Sequence, residues 1–197
     1  LPGKKAAIIG GGPTGIAAAY FLARGGVQTT IFEREEKLGG VPRYVIPAFR
    51  ISDEALDKDV ALMERLGVEV KCGAPAPSVA ELKKMGYTHI LLATGAWQAG
   101  ELGIPGNVRG VIAWMKEMKQ QVKPCLEGHV VVVGAGNTAM DAARVAKRMG
   151  AASSTIVYRR TKKEMPADEH ELKLAIDEGV NLVELAAPVE QKDSKLI

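Results

Sequence analysis

Short apolar runs alternate with longer amphipathic stretches along the chain, the rhythm of strands followed by helices. Ala6-Ala7-Ile8-Ile9 reads as a strand, the alanine-rich stretch 16–22 as a helix, and Gln28-Thr29-Thr30-Ile31-Phe32 as a second strand. From Asp53, the positions Ala55, Leu56, Val60, Leu62, Met63 and Leu66 recur at helical spacing up to Gly67, which predicts a helix with a glycine stop. Val68-Glu69-Val70 predicts a short strand, residues 79–85 a short helix, and His89-Ile90-Leu91-Leu92-Ala93 a buried strand. The rhythm then restarts, with a helix around Ala113-Trp114-Met115-Lys116 and a strand at Val130-Val131-Val132-Val133. A helix over 139–146, a strand at Ser154-Thr155-Ile156-Val157-Tyr158 and a third strand close to the end complete the pattern. Strands that alternate with helices predict an α/β fold with parallel sheets. Residues 38–50 follow neither period and read as an irregular loop.

Each half opens on a glycine-rich turn between strand and helix. Gly10-Gly11-Gly12-Pro13-Thr14-Gly15 follows the first strand, and Gly134-Ala135-Gly136-Asn137-Thr138-Ala139 follows the valine run. In a dinucleotide fold the first glycine makes the turn, the second lets backbone approach a pyrophosphate, and the third lets helix pack close on strand. Anionic phosphate then lies at the helix start, on N–H groups that the helix itself leaves free. The chain is therefore expected to hold two Rossmann-like, doubly wound βαβ dinucleotide-binding domains. Gly103-Ile104-Pro105-Gly106 reads as a linker, which puts the domains at residues 1–101 and 102–197.

The two units differ in sign where the second strand ends. In the first, Glu33 stands roughly twenty residues beyond the glycines, where a carboxylate can accept bonds from ribose hydroxyls and repel a 2′-phosphate. That favours FAD or NAD there; the competing reading makes Glu33 a solvated charge opening the run Glu33-Arg34-Glu35-Glu36-Lys37. In the second, Arg159-Arg160 takes the equivalent place and suits a 2′-phosphate through charge-assisted bonds. NADP(H) is expected there, against the alternative of a solvated basic patch shared with Lys162 and Lys163.

Composition narrows the classes. The 197 residues are 47% hydrophobic and 25% charged with a formal net charge of +3, and the two signs are interspersed, so no nucleic-acid groove is expected. No apolar run reaches the roughly 20 residues of a membrane helix, and the first residues carry no signal-peptide pattern, so a cytoplasmic location is expected. Cys72 and Cys125 form no C-x-x-C pair and read as reduced, partly buried thiols. An iron–sulfur cluster takes four thiolates, so any cluster belongs elsewhere. His89, His129 and His170 show no acid–base partner, and no catalytic residue or metal ligand is assigned.

The loop after Glu33 carries a resemblance. Leu38-Gly39-Gly40-Val41-Pro42-Arg43-Tyr44-Val45-Ile46-Pro47-Ala48-Phe49-Arg50, set behind the first glycine turn, resembles the small subunit of glutamate synthase and its flavoprotein relatives. Among these are the flavin half of dihydropyrimidine dehydrogenase and the selenate-reductase-like group, to which Val45-Ile46-Pro47-Ala48-Phe49-Arg50 and Val157-Tyr158-Arg159-Arg160 are most similar. The later Thr88-to-Gly95 stretch, an apolar strand ending in Ala-Thr-Gly, is similar to the second fingerprint of two-nucleotide flavoproteins.

The resemblance implies a flavin-dependent NADPH oxidoreductase: hydride passes from NADPH to FAD, and electrons leave singly to an iron–sulfur domain or subunit outside this chain. The candidate FAD contacts are Gly10, Gly12, Pro13, Thr14, Gly15, Ile16, Glu33, Arg34, Gly39, Gly40, Val41, Arg50, Thr94 and Gly95. Arg43 is a weaker flavin candidate, and Arg50 has the competing role of pairing with Asp53 or Glu54 at the next helix start. The candidate NADPH contacts are Gly134, Gly136, Asn137, Thr138, Ala139, Arg159 and Arg160. Glu169 stands where relatives carry an arginine, which removes one expected cationic contact. Family members finish the FAD domain with a returning segment after the NADPH domain; that segment is expected to be lacking here, and FAD to be weakly held. A disulfide reductase, a flavin monooxygenase and a catalytically incomplete nucleotide-binding scaffold are the competing readings.

Overall fold

The structure is a computed structural model that describes residues 3–98 and 100–197. The leaderless reading of the start rests partly on Leu1 and Pro2, and the expected domain boundary lies beside Ala99; these three lie outside the described residues. The chain divides into two compact units, Leu1–Trp97 and Gln98–Ile197.

The first unit comprises β1 (Lys5–Ile9), α1 (Pro13–Arg24), β2 (Gln28–Phe32), α2 (Gly40–Tyr44), α3 (Asp53–Glu64), β3 (Glu69–Lys71), α4 (Val79–Lys84) and β4 (His89–Leu92). Its four strands are parallel in the order β3-β2-β1-β4, so the strand order reverses direction between β1 and β4. Ile8 and Ile31 face each other in register and are fully buried, packing with Ala19, Leu38, Met63 and Val68 on one side of the sheet. Alanine at position 19 lets α1 lie close on the strands. The opposite side buries Ala7, Phe32, Leu82 and Tyr87. Burial of each large aliphatic chain stabilises by about 1.5–3 kcal/mol.

Three expectations need correction. The last strand is not buried: among the described residues β4 is the edge of the sheet, paired with β1 alone, and Leu92 remains 66% exposed. The segment 38–50 is not wholly irregular, because α2 forms where Gly39 (φ 130°) and Gly40 (φ 57°) turn the chain in a way other residues resist. Helix α3 stops at Glu64, three residues before the anticipated glycine, and Gly67 (φ 80°) caps the turn by donating its N–H to the Glu64 carbonyl.

The second unit comprises α5 (Val111–Gln120), β5 (His129–Val133), α6 (Asn137–Arg148), β6 (Ser153–Val157), a 3-10 turn at Lys162–Glu164, α7 (Glu169–Asp177), β7 (Asn181–Val183), β8 (Gln191–Lys192) and β9 (Lys195–Leu196). Strands β5-β6-β7 form a parallel sheet, and Met140 and Ile156 are its fully buried centre, with Ala143 and Ala175. The β8–β9 hairpin turns through Asp193 and Ser194, both at positive φ, a primed two-residue turn that its sequence does not announce because neither residue is glycine. The stretch 103–106, expected as a linker, is tied to β8. Pro105 accepts the Gln191 N–H at 2.9 Å, Asn107 donates its N–H to the Gln191 side chain at 2.8 Å, and Gly106 (φ 115°) passes so close that a Cβ would lie 2.3 Å from the Gln191 carbonyl oxygen.

Helix α6 is tied to the end of α7 by charge. Arg144, only 7% exposed, meets Glu178 at 2.6 Å and Glu171 at 3.6 Å, and Arg148 meets Glu178 at 2.7 Å. The Arg148 hydrogen bonds, with Arg144 adding to them, hold the Glu178 carboxyl at about 2, below its ordinary 4.5. A carboxylate lowered in the folded state stabilises fully above its unfolded value and loses that contribution as it protonates. The melting temperature should therefore fall between pH 4.5 and 2 in part through Glu178. Glu178→Gln should destabilise at neutral pH by about 1–3 kcal/mol and flatten that acid-side dependence; an unchanged profile in thermal melts contradicts the assignment.

Candidate functional site

The first glycine turn leaves β1 at Gly10, whose N–H donates to the Phe32 carbonyl at 2.9 Å. Packing inside the protein accounts for three of its glycines. A Cβ at Gly10 (φ 110°) would lie 2.2 Å from the Ala93 carbonyl oxygen, at Gly11 2.3 Å from a Leu38 methyl, and at Gly15 2.0 Å from the Gly10 carbonyl oxygen. Gly12 differs, since its nearest neighbour would be the Gly40 Cα at 3.8 Å, an ordinary contact. Its missing side chain keeps the start of α1 open rather than relieving a clash. Helices α3, α4 and α7 are capped by the side chains of Ser52, Ser78 and Asp168, whereas α1 begins on Gly12 with no side-chain cap and Pro13 in its first turn. Free N–H groups together with the helix dipole favour an anion there.

The second turn repeats the construction. Gly134 (φ 126°) donates its N–H to the Val157 carbonyl at 3.0 Å, as Gly10 does to Phe32. Nothing lies within 4 Å of a Cβ placed on Gly136, which stands at the N-cap of α6 and offers it no side-chain cap. Ala139 fills the place of the third glycine, buried against the Met140 cluster. Thr138 and Asn137 are exposed, and the Asn137 Oδ1 accepts the Asp168 N–H at 3.1 Å.

The strand ends carry opposite charge in contrasting settings. Glu33 is 6% exposed, and its carboxylate accepts the Gly11 N–H at 2.6 Å and the Glu35 N–H at 2.9 Å. This overturns the alternative of a solvated charge. Arg159 and Arg160 are exposed beyond β6, followed by exposed Lys162 and Lys163. Beside Glu33, burial pushes the Cys72 thiol up, and Glu33, Glu36 and Glu64 add to the shift, so it stays protonated at neutral pH. Cys125 is exposed rather than partly buried.

The loop expected to reach a ligand is fastened to the first turn. Gly39 donates its N–H to the Gly11 carbonyl at 2.7 Å, and Gly40 passes so close that a Cβ there would sit 2.8 Å from the Gly12 Cα. Val41 follows in the first turn of α2. Arg43 takes a structural place instead: buried to 5% exposure, it donates to the Leu38 carbonyl and to Asp57 at 2.5 Å and forms an ion pair with Asp53 at 3.5 Å, pinning α2 to α3. Asp53 takes Arg43 as a partner, and the exposed Arg50 donates its backbone N–H to the Pro47 carbonyl at 2.9 Å. Thr94 and Gly95 (φ 72°) follow β4, next to β1 in the sheet, where Ala93 donates to the Ile9 carbonyl. Ile16 and Pro13 line an apolar groove with Leu56 and Leu62.

The structure therefore brings Gly10, Gly12, Pro13, Thr14, Gly15, Glu33, Gly39, Gly40, Val41, Thr94 and Gly95 to the carboxyl ends of β1, β2 and β4. In open α/β sheets that crevice is where ligands bind. One neighbour escaped the sequence reading. The Arg34 guanidinium lies 5.0 Å over the Trp97 ring, a pairing that no motif or spacing signals.

Alanine should separate the two kinds of glycine. Gly10→Ala, blocked by backbone and positive φ, should cost roughly 2–4 kcal/mol in a denaturant melt. Gly12→Ala should stay within about 1 kcal/mol of the parent yet lose dinucleotide affinity at the first turn. Equal destabilisation by both contradicts the open cradle.

Residues 4–195 match the family described as pyridine nucleotide-disulphide oxidoreductase. The chain is 42% identical over 179 residues to YgfK, a proposed oxidoreductase of Escherichia coli (strain K12), covering 88% of the chain and 17% of that protein. It is 38% identical to the NADPH-Fe(3+) oxidoreductase subunit beta of Geobacter sulfurreducens, covering 90% of the chain and 28% of that protein. It is 35% identical to the glutamate synthase [NADPH] small chain of Halomonas elongata, covering 94% and 43%. The chain thus spans less than half the length of these relatives. Among solved structures, 2-naphthoyl-CoA reductase superposes with a TM-score of 0.79 at 19% identity, over 98% of this chain and 30% of that one. FprA of Mycobacterium tuberculosis in complex with NADPH superposes with a TM-score of 0.73 at 21% identity, over 89% and 48%. At these identities the superpositions establish the fold alone.

Proposed function

Because the chain belongs to the pyridine nucleotide-disulphide oxidoreductase family, we propose that it is the FAD- and NADPH-binding module of a flavin-dependent oxidoreductase. The observation that carries this reading is the repeated, uncapped glycine turn with a buried carboxylate beside one copy and exposed arginines beside the other. The open backbone at Gly12 and at Gly136 fits a pyrophosphate at each. Residues 1–101 would form the FAD domain and 102–197 the NADPH domain. When bound, the two cofactors supply hydride transfer and, through the flavin, single-electron chemistry.

The chain's own residues do the holding. At the first turn Gly10, Gly12, Pro13, Thr14, Gly15 and Ile16 form the uncapped start of α1 that would hold the pyrophosphate, with the N–H groups of Thr14 and Gly15 as its donors. Glu33, oriented by the Gly11 and Glu35 N–H groups, takes ribose hydroxyls and rejects a 2′-phosphate, with Arg34 beside it. Gly39, Gly40, Val41, Arg50, Thr94 and Gly95 complete the FAD wall. At the second turn Gly134, Gly136, Thr138 and Ala139 present backbone to the NADPH pyrophosphate, and Arg159 and Arg160 take its 2′-phosphate.

A disulfide reductase is disfavoured because Cys72 and Cys125 are single thiols in different units and Cys72 is held protonated. Relatives named as beta subunits and small chains support an acceptor on another domain or subunit, and an iron–sulfur centre is the partner this reading assigns. No helix among the described residues is long and apolar enough to cross a membrane. A cytoplasmic setting belongs to the same proposal.

Arg159→Ala should weaken NADPH binding by about 1.5–3 kcal/mol while leaving NADH nearly unchanged, as followed by nicotinamide fluorescence. Equal weakening of both removes the 2′-phosphate role. With FAD supplied anaerobically, NADPH should bleach oxidised-flavin absorbance only when the protein is present; bleaching no faster than in a protein-free control contradicts a complete hydride-transfer site within these residues and moves it to a longer parent.

A further inference from the structure

Residues 158–167 carry four exposed or partly exposed cations, Arg159, Arg160, Lys162 and Lys163, and both ends of this stretch are fastened to the second glycine turn. At the near end, Gly134 donates to the Val157 carbonyl at 3.0 Å. At the far end, the Ala167 N–H donates to the Ala135 carbonyl at 3.1 Å and the Asp168 N–H to the Asn137 Oδ1 at 3.1 Å. The loop is braced from within as well. The Tyr158 hydroxyl donates to the Glu164 carbonyl at 2.9 Å, the Thr161 N–H to the Glu164 carboxylate at 3.2 Å, and the Lys162 N–H to the Glu184 carboxylate. Leu185 adds a bond to the Arg160 carbonyl at 3.3 Å.

Of the two far-end ties, only the Asn137 bond uses a side chain, so it alone depends on residue identity. Asn137 is also the first residue of α6, at the point where the open turn becomes helix. We propose that Asn137 is a positioning residue: its Oδ1 latches the cationic loop onto the second glycine turn and so sets the preference for a 2′-phosphorylated dinucleotide. This inference rests on the reading of that turn as the NADPH site. An ordered loop holds its guanidinium and ammonium groups at a fixed distance from the pyrophosphate cradle, whereas an unlatched loop must be ordered by the ligand itself, at the expense of affinity.

The latch acts on the 2′-phosphate end of the ligand and not on the pyrophosphate, which distinguishes it from direct contact. In the purified protein, Asn137→Ala should weaken NADPH about three- to tenfold while NADH changes less than about twofold, the size of one lost hydrogen bond. The Asp168 amide should exchange with deuterium faster in Asn137→Ala and keep its parental rate in Asn137→Asp, which retains the accepting oxygen. A parent protein that binds NADPH and NADH alike overturns the 2′-phosphate reading and the latch together. A parental preference that survives intact in Asn137→Ala, equal weakening of both nucleotides, or unaltered Asp168 exchange overturns the latch alone.

Discussion

A single backbone hydrogen bond, made twice, sets the geometry on which the rest depends. Gly10 donates to the carbonyl that ends β2, and Gly134 to the carbonyl that ends β6. Each bond stops the first strand level with its neighbour and turns the chain into a helix at the carboxyl edge of the sheet. Only a residue free to adopt φ near 110–126° can make that turn. Once it is made, the uncapped start of the helix and the side chain just past the second strand are necessarily neighbours. On the function proposed here, the charge at that strand end decides which dinucleotide the turn accepts.

The two units use this frame in opposite ways. In the first, Glu33 is drawn inward by the Gly11 N–H, and the loop behind it is locked by backbone contact between Gly40 and Gly12. The buried Arg43 binds α2 to α3, and Arg50 stands at the surface. In the second, the cations stay at the surface, and the ties that order them run through the backbone, Tyr158 and Asn137. A negative site is built by burying one carboxylate, a positive one by bracing a loop.

The sequence made the frame legible wherever residue type and local period coincide. β2 runs over the residues its pattern indicated, and the helices after both glycine turns extend the alanine-rich stretches by a few residues at each end. What stayed hidden depends on partners distant in the chain. Apolar content marked β4 as buried, but its place at the sheet edge leaves Leu92 exposed, and strand order is not written in a local pattern. Arg43 and Arg50 look alike in sequence, yet one is buried against Asp53 and Asp57 and the other is exposed, a difference that no local pattern announces. Trp97 over Arg34, and Asn137 on Asp168, join residues 63 and 31 positions apart with no motif to flag either pair.

The central claim is that one glycine turn selects a 2′-phosphorylated dinucleotide and the other excludes it. Its most direct test is an NMR titration of the isotope-labelled protein with 2′,5′-ADP, followed amide by amide. Shifts are expected at Gly134, Gly136, Thr138, Arg159 and Arg160, with Gly10, Gly12, Gly15 and Glu33 unmoved. Shifts centred on the first turn, or equal at both, would contradict it.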